Sequence, residues 1–255
     1  MLSEDRQLRI LALVRQRGFV TVAELCGLYD VSEATIRRDL DALAQQGQIR
    51  RLRGGAGDVK GTVRPEPDLK SFAEVAADSS SAAKRAIAKR AAAFVEDGDV
   101  IALDSGTTVS LMCPFLVDRT LTVVTASLPV IEALQSSPSI DLIVVGGILR
   151  PSYRSMVGHM AELMLRQMRF DKAFLGTAGV TGEGMVMDTT PSEVPVKRQI
   201  LASAKRAYLL ADSKKFPGEG FLRVSDLNDF NALITDQAPT NLQLPEGAEV
   251  EVLVA

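Results

Sequence analysis

The sequence is poor in the residues that most often mark catalytic, metal or base-stacking sites. Its 255 residues include no tryptophan, one histidine and two cysteines, and only 5% of them are aromatic. So few aromatic rings argue against a stacking platform for single-stranded nucleic acid. Cys26 and Cys113 lie in apolar surroundings without the spacing of metal ligands, so we interpret them as small buried side chains in a reducing compartment. The sequence predicts no cofactor and no metal ion.

Long apolar segments are absent as well. The longest uninterrupted apolar run covers residues 142–149, whereas a membrane helix needs roughly 18 apolar residues. Glu4 and Asp5 stand where a secretory signal carries basic side chains. We therefore expect a cytoplasmic protein without a membrane partner. A hydrophobic content of 46% is ordinary for a globular protein, and the length allows one large domain or two unequal ones.

Positive charge is scarce in the chain as a whole, which has a formal net charge of −3 and a pI near 5.4. This balance, taken alone, argues against a nucleic-acid partner. However, residues 1–60 carry ten basic and eight acidic side chains, net +2, and the remainder carries 19 basic and 24 acidic ones, net −5. Five arginines fall between Arg37 and Arg53. The asymmetry indicates a small anion-binding module joined to an acidic body.

The first sixty residues have the pattern of three helices and a hairpin. Apolar spacing predicts helices over residues 3–16, 22–28 and 33–46, with hydroxyl residues as N-caps and glycines as stops. A basic β-wing is predicted to follow the third helix. We expect these side chains of the second and third helices to face inward: Ala23, Leu25, Ile36, Leu40 and Leu43.

This order of elements is that of a winged helix-turn-helix. A helix fits the major groove of DNA, and its N-terminal residues meet base edges, while basic side chains on the wing reach phosphates. The alternative is a three-helix fragment whose arginines only solvate a surface. The third helix and the wing supply the predicted DNA contacts, which are Ser32, Thr35, Arg37, Arg38, Arg50, Arg51 and Arg53.

The segment VSEATIRRDL at residues 31–40, followed by Leu43, Gly47, Arg51 and GGA at residues 54–56, resembles the signature of DeoR-type bacterial transcriptional regulators. The resemblance implies that residues 20–39 form the helix-turn-helix proper. The family usually has His where this sequence has Arg53, which keeps a cationic contact. We place the DNA-binding domain at residues 1–57, a linker at 58–75 and a second domain at 76–255.

The second domain alternates helical patterns with short apolar runs, at residues 100–103, 121–124, 142–145, 173–175, 208–210 and 232–234. Such runs predict an α/β domain with a mainly parallel sheet. In open α/β sheets ligands bind outside the carboxyl ends of the strands, where this sequence has glycines, hydroxyl residues and cations. The loop SGTT at residues 105–108 opens a helix and is able to cradle a phosphate. The alternative is that its hydroxyls only cap that helix.

The family resemblance extends over this half through DSGTT at residues 104–108, DKAFLG at residues 171–176, and Asp212 with Lys215. It implies a sensor domain similar in fold to ribose-5-phosphate isomerase and CoA transferases, which binds a phosphorylated sugar or related metabolite as effector. Ala126 and Lys214 depart from the family pattern and leave the identity of the effector open. The effector contacts carried over are Asp104, Ser105, Gly106, Thr107, Thr108, Thr125, Ser127, Gly146, Gly147, Arg150, Lys197 and Lys215.

Three further charged features have a plain structural interpretation. His159 begins a predicted surface helix, where a structural or solvent role is expected. Glu193 and Lys197 are four residues apart on a predicted helix, a spacing that also fits a surface ion pair. The charges of the helix at residues 84–90 are interpreted as a solvated face.

Together these features predict a sequence-specific transcriptional regulator, a repressor of a sugar or polyol catabolic operon, with no catalytic residue. It is expected to bind double-stranded operator DNA as a homodimer or higher even oligomer, because a palindromic site needs two binding units. One alternative is a sugar-phosphate isomerase that acquired a DNA-binding module, with Asp104 or Glu193 as general base. The other is a metabolite-binding adaptor that binds no DNA.

Overall fold

The computed structural model describes residues 3–17, 19–52, 55–58, 71–77, 81–243 and 249–255. The chain divides into two units, Met1–Arg64 and Pro65–Ala255, and each has an apolar core of its own. Of the helices within the described ranges, none has the length and apolar character needed to span a lipid bilayer.

The first unit contains three helices and a three-stranded antiparallel sheet. The helices are α1 (Ser3–Arg17), α2 (Val22–Tyr29) and α3 (Glu33–Gln45). The strands are β1 (Phe19–Thr21), β2 (Ile49–Leu52) and β3 (Gly55–Asp58), in the order β1-β3-β2. The predicted winged helix-turn-helix is confirmed, with β2 and β3 as the wing.

The ends of the second and third helices follow from the residues that flank them. The Thr21 hydroxyl accepts a hydrogen bond from the Glu24 N–H, and the Glu24 carboxylate accepts one from the Thr21 N–H, which forms a capping box at the start of α2. After α3, Gly47 takes a φ of 66°, and the Gln48 N–H then donates to the carbonyl of Leu43. Gly47, in this left-handed conformation, ends α3.

The core of the first unit confirms most of the predicted inward-facing residues. Ile36, Leu40 and Leu43 are all buried. On α2, Leu25 is buried as expected, but the prediction for Ala23 is wrong because this side chain is exposed. Since α2 begins at Val22, its buried face runs through Val22 and Leu25, three residues apart, and Ala23 lies one position off that face.

The second unit is built on a seven-stranded sheet in which every pairing is parallel. All six predicted strands are confirmed. The last strand, at one edge of the sheet, was not predicted. In chain order the strands are β4 (Val100–Leu103), β5 (Leu121–Thr125), β6 (Ile140–Val144), β9 (Phe170–Gly176), β12 (Ala204–Leu210), β14 (Ala232–Thr235) and β15 (Glu251–Val254), and their order in the sheet is β15-β14-β12-β9-β4-β5-β6.

Helices cover both faces of this sheet, which explains why its strands are apolar throughout. The helices are α4 (Phe72–Ala76), α5 (Ser81–Ala92), α6 (Thr107–Ser110), α7 (Leu128–Leu134), α8 (His159–Arg166) and α9 (Val194–Ser203). Along β9, Ala173 and Leu175 pack in one apolar cluster with residues of α8 and α9. Phe174 packs in the other cluster, with residues of α5 and α7. The unit is therefore a three-layer α/β domain.

Two small antiparallel groups of strands complete the second unit. One is the hairpin of β7 (Ile148–Arg150) and β8 (Ser155–Val157). The other has the order β10-β11-β13 and consists of β10 (Gly179–Val180), β11 (Met185–Asp188) and β13 (Leu222–Asp226). Neither group was predicted from the sequence.

Two predictions about local environment need correction or comment. His159 begins α8, but it is buried rather than on the surface, because Ala161 and Leu165 on the same helix pack into the core. The segment assigned as linker, residues 58–75, includes most of α4, which belongs to the second unit. Residues 59–70 of that segment lie outside the described residues.

Both cysteines are free thiols. Cys113 is buried, and burial raises the pKa of its thiol to about 12, which leaves it protonated and inert at neutral pH. Cys26 is half-buried and packs against the core of the first unit.

Candidate functional site

The first candidate site is the exposed face of α3 in the first unit. Ser32 caps this helix, and its hydroxyl lies 2.9 Å from that of Thr35. Arg37 and Arg38 are exposed, and Arg37 lies 3.3 Å from the Glu33 carboxylate. The four predicted DNA contacts of this helix therefore lie within its first two turns, where hydrogen-bond donors reach base edges and phosphates in a major groove.

The opposite face of α3 contains one charged residue. Asp39 is 3% exposed and is buried beside Ile36, Leu40 and Leu43. Burial alone would raise the pKa of its carboxyl, but hydrogen bonds from Arg6, Gln7 and Ser3 outweigh burial and hold this pKa below its ordinary value. Asp39 is therefore an ionised carboxylate inside the first unit.

The wing carries the remaining predicted DNA contacts. The exposed Arg51 lies 3.0 Å from the Asp41 carboxylate and donates to the carbonyl of Gly55 at 3.2 Å. Arg50 has its backbone in β2, but its side chain is outside the description, and Arg53 lies outside the described residues. Arg51 is thus the wing arginine for which the structure gives an environment.

The second candidate site is a cavity of about 580 Å³ in the second unit, at the carboxyl ends of β4, β9 and β12. This volume lies within the range of small-molecule sites. Its walls come from the loops after these strands, from α4, and from the starts of α5 and α9. The lining residues are Glu74, Val75, Ala77, Lys84, Ser105, Gly106, Thr107, Thr108, Arg150, Tyr153, Gly176, Thr177, Ala178, Asp188, Thr189, Thr190, Glu193, Lys197, Leu210, Ala211, Asp212, Lys215 and Glu219.

The loop of residues 105–108, which we call the Ser105 loop, passes from β4 into α6. Gly106 is the N-cap of α6 and has no side chain that could cap the helix, so the first N–H groups of the helix have no partner within it. A Cβ atom on Gly106 would lie 3.4 Å from the Cα of Gly176. Glycine thus allows the loops after β4 and β9 to lie side by side. Thr107 and Thr108 line the cavity beside them.

A buried ion pair lies directly behind this loop. Lys197 of α9 donates to the carboxylate of Asp104 and, at 3.0 Å, to the carbonyl of Gly176. Asp104 also accepts the Gly176 N–H at 3.0 Å. Burial alone would lower the pKa of Lys197, but the carboxylates of Asp104, Asp188 and Glu193 outweigh burial and raise it. Lys197 is therefore an ammonium ion at neutral pH.

A second buried pair joins Glu193, the N-cap of α9, to Arg150 of β7. Glu193 also accepts hydrogen bonds from the hydroxyls of Ser155, at 2.6 Å, and Ser105, at 3.1 Å. Burial raises the pKa of Glu193 and the guanidinium of Arg150 opposes that shift. The guanidinium also lies 5.0 Å from the centre of the Tyr153 ring, and burial raises the pKa of that phenol to about 12.

The structure brings seven of the predicted effector contacts together on the cavity wall. These are Ser105, Gly106, Thr107, Thr108, Arg150, Lys197 and Lys215. Asp104 lies immediately behind them through its bond to Lys197. The predicted effector contacts that lie at the cavity therefore come from the loops after β4 and β12, from β7 and from α9.

The other four predicted contacts are not on the cavity wall. The hydroxyl of Thr125 donates to the carbonyl of Leu103 at 2.7 Å and accepts from the Ser127 N–H, so both residues are part of the packing between β4 and β5. Gly147 has a packing role too, because a Cβ there would lie 2.6 Å from the carbonyl oxygen of Val157. Gly146 is exposed and has open space around its Cα.

Three charged residues have environments that differ from their plain interpretation. Glu193 and Lys197 do not form a surface ion pair, because both are buried and each pairs with another element of the fold. Lys84 is not on the solvated face of its helix. It is 3% exposed, lines the cavity and donates to the carbonyl of Val75 at 2.9 Å.

Among the polar residues of the cavity that sequence reasoning did not assign to the site are Tyr153, Asp188, Glu193 and Asp212. The signal for Asp212 was present, since it directly follows a predicted strand together with Lys215. No comparable signal marked Tyr153 or Asp188, which reach the cavity from the two small groups of strands. Within the described ranges, no three histidine, cysteine, aspartate or glutamate side chains are placed to hold a metal ion.

The cavity is mixed in charge rather than basic. Its lining contains four basic and five acidic side chains. Arg150 of β7 and Lys197 of α9 are already paired with carboxylates. Hydrogen bonds from hydroxyl and N–H groups, rather than an excess of positive charge, are therefore its main means of holding an anion.

Two family models match this chain. The DeoR-like helix-turn-helix domain matches residues 6–62, and the DeoR C terminal sensor domain matches residues 79–237. The two matches correspond to the two structural units.

Similar proteins match over nearly the full length. The chain is 33% identical to the L-fucose operon activator of Haemophilus influenzae, over 92% of each chain. It is 32% identical to the HTH-type transcriptional repressor GlcR of Bacillus subtilis, over 100% of this chain and 97% of that protein. It is also 32% identical to the glycerol-3-phosphate regulon repressor of Haemophilus influenzae, over 93% and 91% of the two chains.

Among solved structures, the chain is similar to ribose 5-phosphate isomerase A from Methanocaldococcus jannaschii. The TM-score is 0.40 with 20% sequence identity, over 54% of this chain and 55% of that one.

Proposed function

This chain belongs to the DeoR family of transcriptional regulators, and from that premise we propose that it represses a sugar or polyol catabolic operon under the control of a phosphorylated sugar. The observation that carries the proposal is the presence in one chain of a recognition helix with exposed arginines and of a cavity built from hydroxyl, glycine and paired charged residues. Two of the three relatives described above are named as repressors, and two names refer to L-fucose and to glycerol 3-phosphate.

We propose that α3 enters the major groove of operator DNA. Thr35, Arg37 and Arg38 would then meet base edges or phosphates, and Ser32 would meet a phosphate at the N-terminus of the helix. Arg51, together with Arg50 and Arg53, would contact the backbone or the minor groove from the wing. Because a palindromic operator presents two half-sites about one turn of DNA apart, the active species would be a homodimer or a higher even oligomer acting in the cytoplasm.

For the effector, we propose that a phosphate group lies at the Ser105 loop. The N–H and hydroxyl groups of Thr107 and Thr108 supply hydrogen-bond donors there, and Lys84 and Lys215 line the same cavity. The carboxylates of Asp188 and Asp212 would accept hydrogen bonds from the sugar hydroxyls. This arrangement favours a ligand that carries both a phosphate and several hydroxyl groups.

The short helix α4 offers a route from this cavity to the DNA-binding unit. Val75 lines the cavity, the Phe72 N–H donates to the carbonyl of Ser152 at 3.0 Å, and the Phe72 ring meets Tyr153 edge to face at 5.9 Å. In the sequence only residues 59–71 separate α4 from the wing strand β3. We propose that effector binding alters the packing of α4 and thereby changes operator affinity, by the 5–150-fold that is typical of such coupling.

The variant Phe72→Ala tests this route. It removes the ring contact with Tyr153 without touching the Ser105 loop. We expect effector binding, measured by thermal shift, to persist while the effect of the effector on operator affinity becomes several-fold smaller. Phe221→Ala is the control, because Phe221 is 68% exposed. An undiminished effect of the effector in the Phe72 variant would exclude α4 as the route.

The proposed function itself is tested by two measurements on the wild-type protein. Gel shifts with DNA from upstream of its own gene should show binding, and a panel of sugar phosphates should contain one that raises the melting temperature and changes that gel shift. Failure to bind DNA would favour the metabolite-binding adaptor. Turnover of ribose 5-phosphate or a hexosamine phosphate by the purified protein would favour the isomerase.

A further inference from the structure

Helix α3 contains a carboxylate, Asp39, that has no direct role in binding DNA. Asp39 directly follows Arg37 and Arg38, and a carboxylate exposed on this helix would repel DNA phosphates. Instead its side chain is 3% exposed, and both of its oxygens accept hydrogen bonds from α1. Oδ1 accepts from the Ser3 hydroxyl at 2.9 Å and from Gln7 Nε2 at 3.0 Å. Oδ2 accepts from Arg6 Nε at 2.5 Å.

These hydrogen bonds differ in kind from the other contacts that α3 makes within the first unit. Ile36, Leu40 and Leu43 attach the helix through apolar burial, which is proportional to area and has no preferred direction. Hydrogen bonds to a carboxylate weaken steeply when the donor angle or distance changes. Donors from three residues of α1, acting on both oxygens, therefore define one rotation of α3 about its own axis.

We infer that Asp39 is a positioning residue for sequence reading, which fixes the rotation of the recognition helix and so the direction of its exposed arginines. The inference rests on the proposed function, in which α3 reads DNA. The side chains of a helix end about 5–6 Å from its axis, so a rotation of about 20° moves them on the order of 2 Å. A shift of that size breaks hydrogen bonds to base edges, whereas contacts with phosphates by flexible basic side chains tolerate it.

The chain offers a matched control on the same helix. Asp41 lies two residues after Asp39, but its side chain is 57% exposed and pairs with Arg51 of the wing. Asp41→Asn and Asp39→Asn therefore remove the same charge from α3. If charge alone mattered, both variants would bind all DNA as tightly as the wild type or more tightly, because one repulsive charge is lost. A positioning role predicts different results for the two variants.

The experiment uses the full chain, with a duplex that the wild-type protein selects from a random-sequence pool and a scrambled duplex of the same composition. Affinities are measured at a temperature at which circular dichroism shows every variant to be folded. We expect Asp39→Asn to lose at least tenfold in affinity for the selected duplex and to keep its affinity for the scrambled one. Asp41→Asn should keep the ratio of the two affinities.

Arg6→Lys is the second variant, because it keeps the charge at Arg6 and removes its directional Nε donor. If Asp39→Asn does not fold, a reduced ratio in Arg6→Lys supports the inference and a wild-type ratio overturns it. A folded Asp39→Asn protein with the wild-type ratio also overturns it, since a role confined to stability would leave sequence preference unchanged. Failure of the wild type to select any duplex is a separate result, which counts against the proposed function.

Discussion

Replacing Lys197 by methionine separates a structural role for this lysine from a role in ligand binding alone. Its ammonium group is buried and lies between Asp104, to which it donates, and Asp188, whose carboxylate is 3.7 Å away. Methionine has a similar length and no charge. The variant leaves Asp104, with 2% of its surface exposed, without its cationic partner and with the Gly176 N–H as its donor.

The expected loss is large because a carboxylate is left uncompensated in the interior. Removing one partner of a buried ion pair costs about 3–5 kcal/mol, a large part of the roughly 5–15 kcal/mol by which a domain is stable. For a unit of this size each kcal/mol lowers the melting temperature by about 2–4 °C. We therefore expect the transition of the second unit to fall by roughly 6–20 °C in Lys197→Met.

The measurement is differential scanning calorimetry at pH 7 without ligand. The raised pKa of Lys197 means that its contribution is complete at this pH and is lost only as the pH rises above 10.5 and through the folded-state pKa. Lys205→Met is the control, because Lys205 forms an exposed pair with Asp171 that is worth about 1 kcal/mol or less. The double variant Asp104→Asn/Lys197→Met should recover part of the loss, since a neutral amide then replaces the Asp104 carboxylate, while Asp188 still lacks the ammonium. Equal shifts for Lys197→Met and Lys205→Met would refute the reasoning.

Three further predictions concern the two candidate sites. Arg38→Ala should weaken operator binding at least tenfold with almost no change in melting temperature, because this arginine is exposed and lies outside the core. Arg9→Ala is the control, because Arg9 is an exposed arginine on α1. An unchanged gel shift for Arg38→Ala would remove Arg38 from the DNA contacts. Thr107→Val should reduce stabilisation by the cognate effector in a thermal-shift assay, because the phosphate loses a hydroxyl donor. If stabilisation is unaffected, the Thr107 hydroxyl does not contact the effector. The lowered pKa of Asp39 means that its contribution to stability is present above about pH 3.8 and is lost as the pH falls through its pKa in the folded protein. Acid should therefore destabilise the wild type more than Asp39→Asn. Parallel profiles of stability against pH for the two proteins would contradict this.

The inner strands of the second unit could be predicted because they are buried on both faces. A parallel strand covered on both faces contains apolar residues at every position, so residues 173–175 or 208–210 are recognisable without any partner. The edge strand β15 lacks this signal because Val252 and Val254 remain partly exposed. The predicted meeting of several loops at the carboxyl ends of the strands was also sound, since topology alone places those ends at one edge of the sheet.

The partners of the buried charges could not be predicted in the same way. Spacing along a helix indicates which side chains are neighbours on that helix, and it favoured a surface pair between Glu193 and Lys197. Their actual partners, Arg150 and Asp104, are distant in sequence and come from β7 and the end of β4. Only the tertiary fold, which brings Arg150 and Asp104 to α9, determines these partners. For the same reason Thr125 could be placed at a strand end, but the direction of its hydroxyl toward Leu103 could not.

The pairing of the interior charges bears on how this cavity selects a ligand. A buried cation without a partner would attract any small anion, inorganic phosphate included. Arg150 and Lys197 are instead paired with Glu193 and Asp104, so the Ser105 loop holds an anion mainly through N–H and hydroxyl groups, whose bonds depend on geometry. On the proposed function, a ligand gains affinity only by placing its phosphate at this loop and its hydroxyls at the carboxylates together. On the same proposal, recognition of that kind would let an acidic domain respond to an anionic metabolite without responding to every anion.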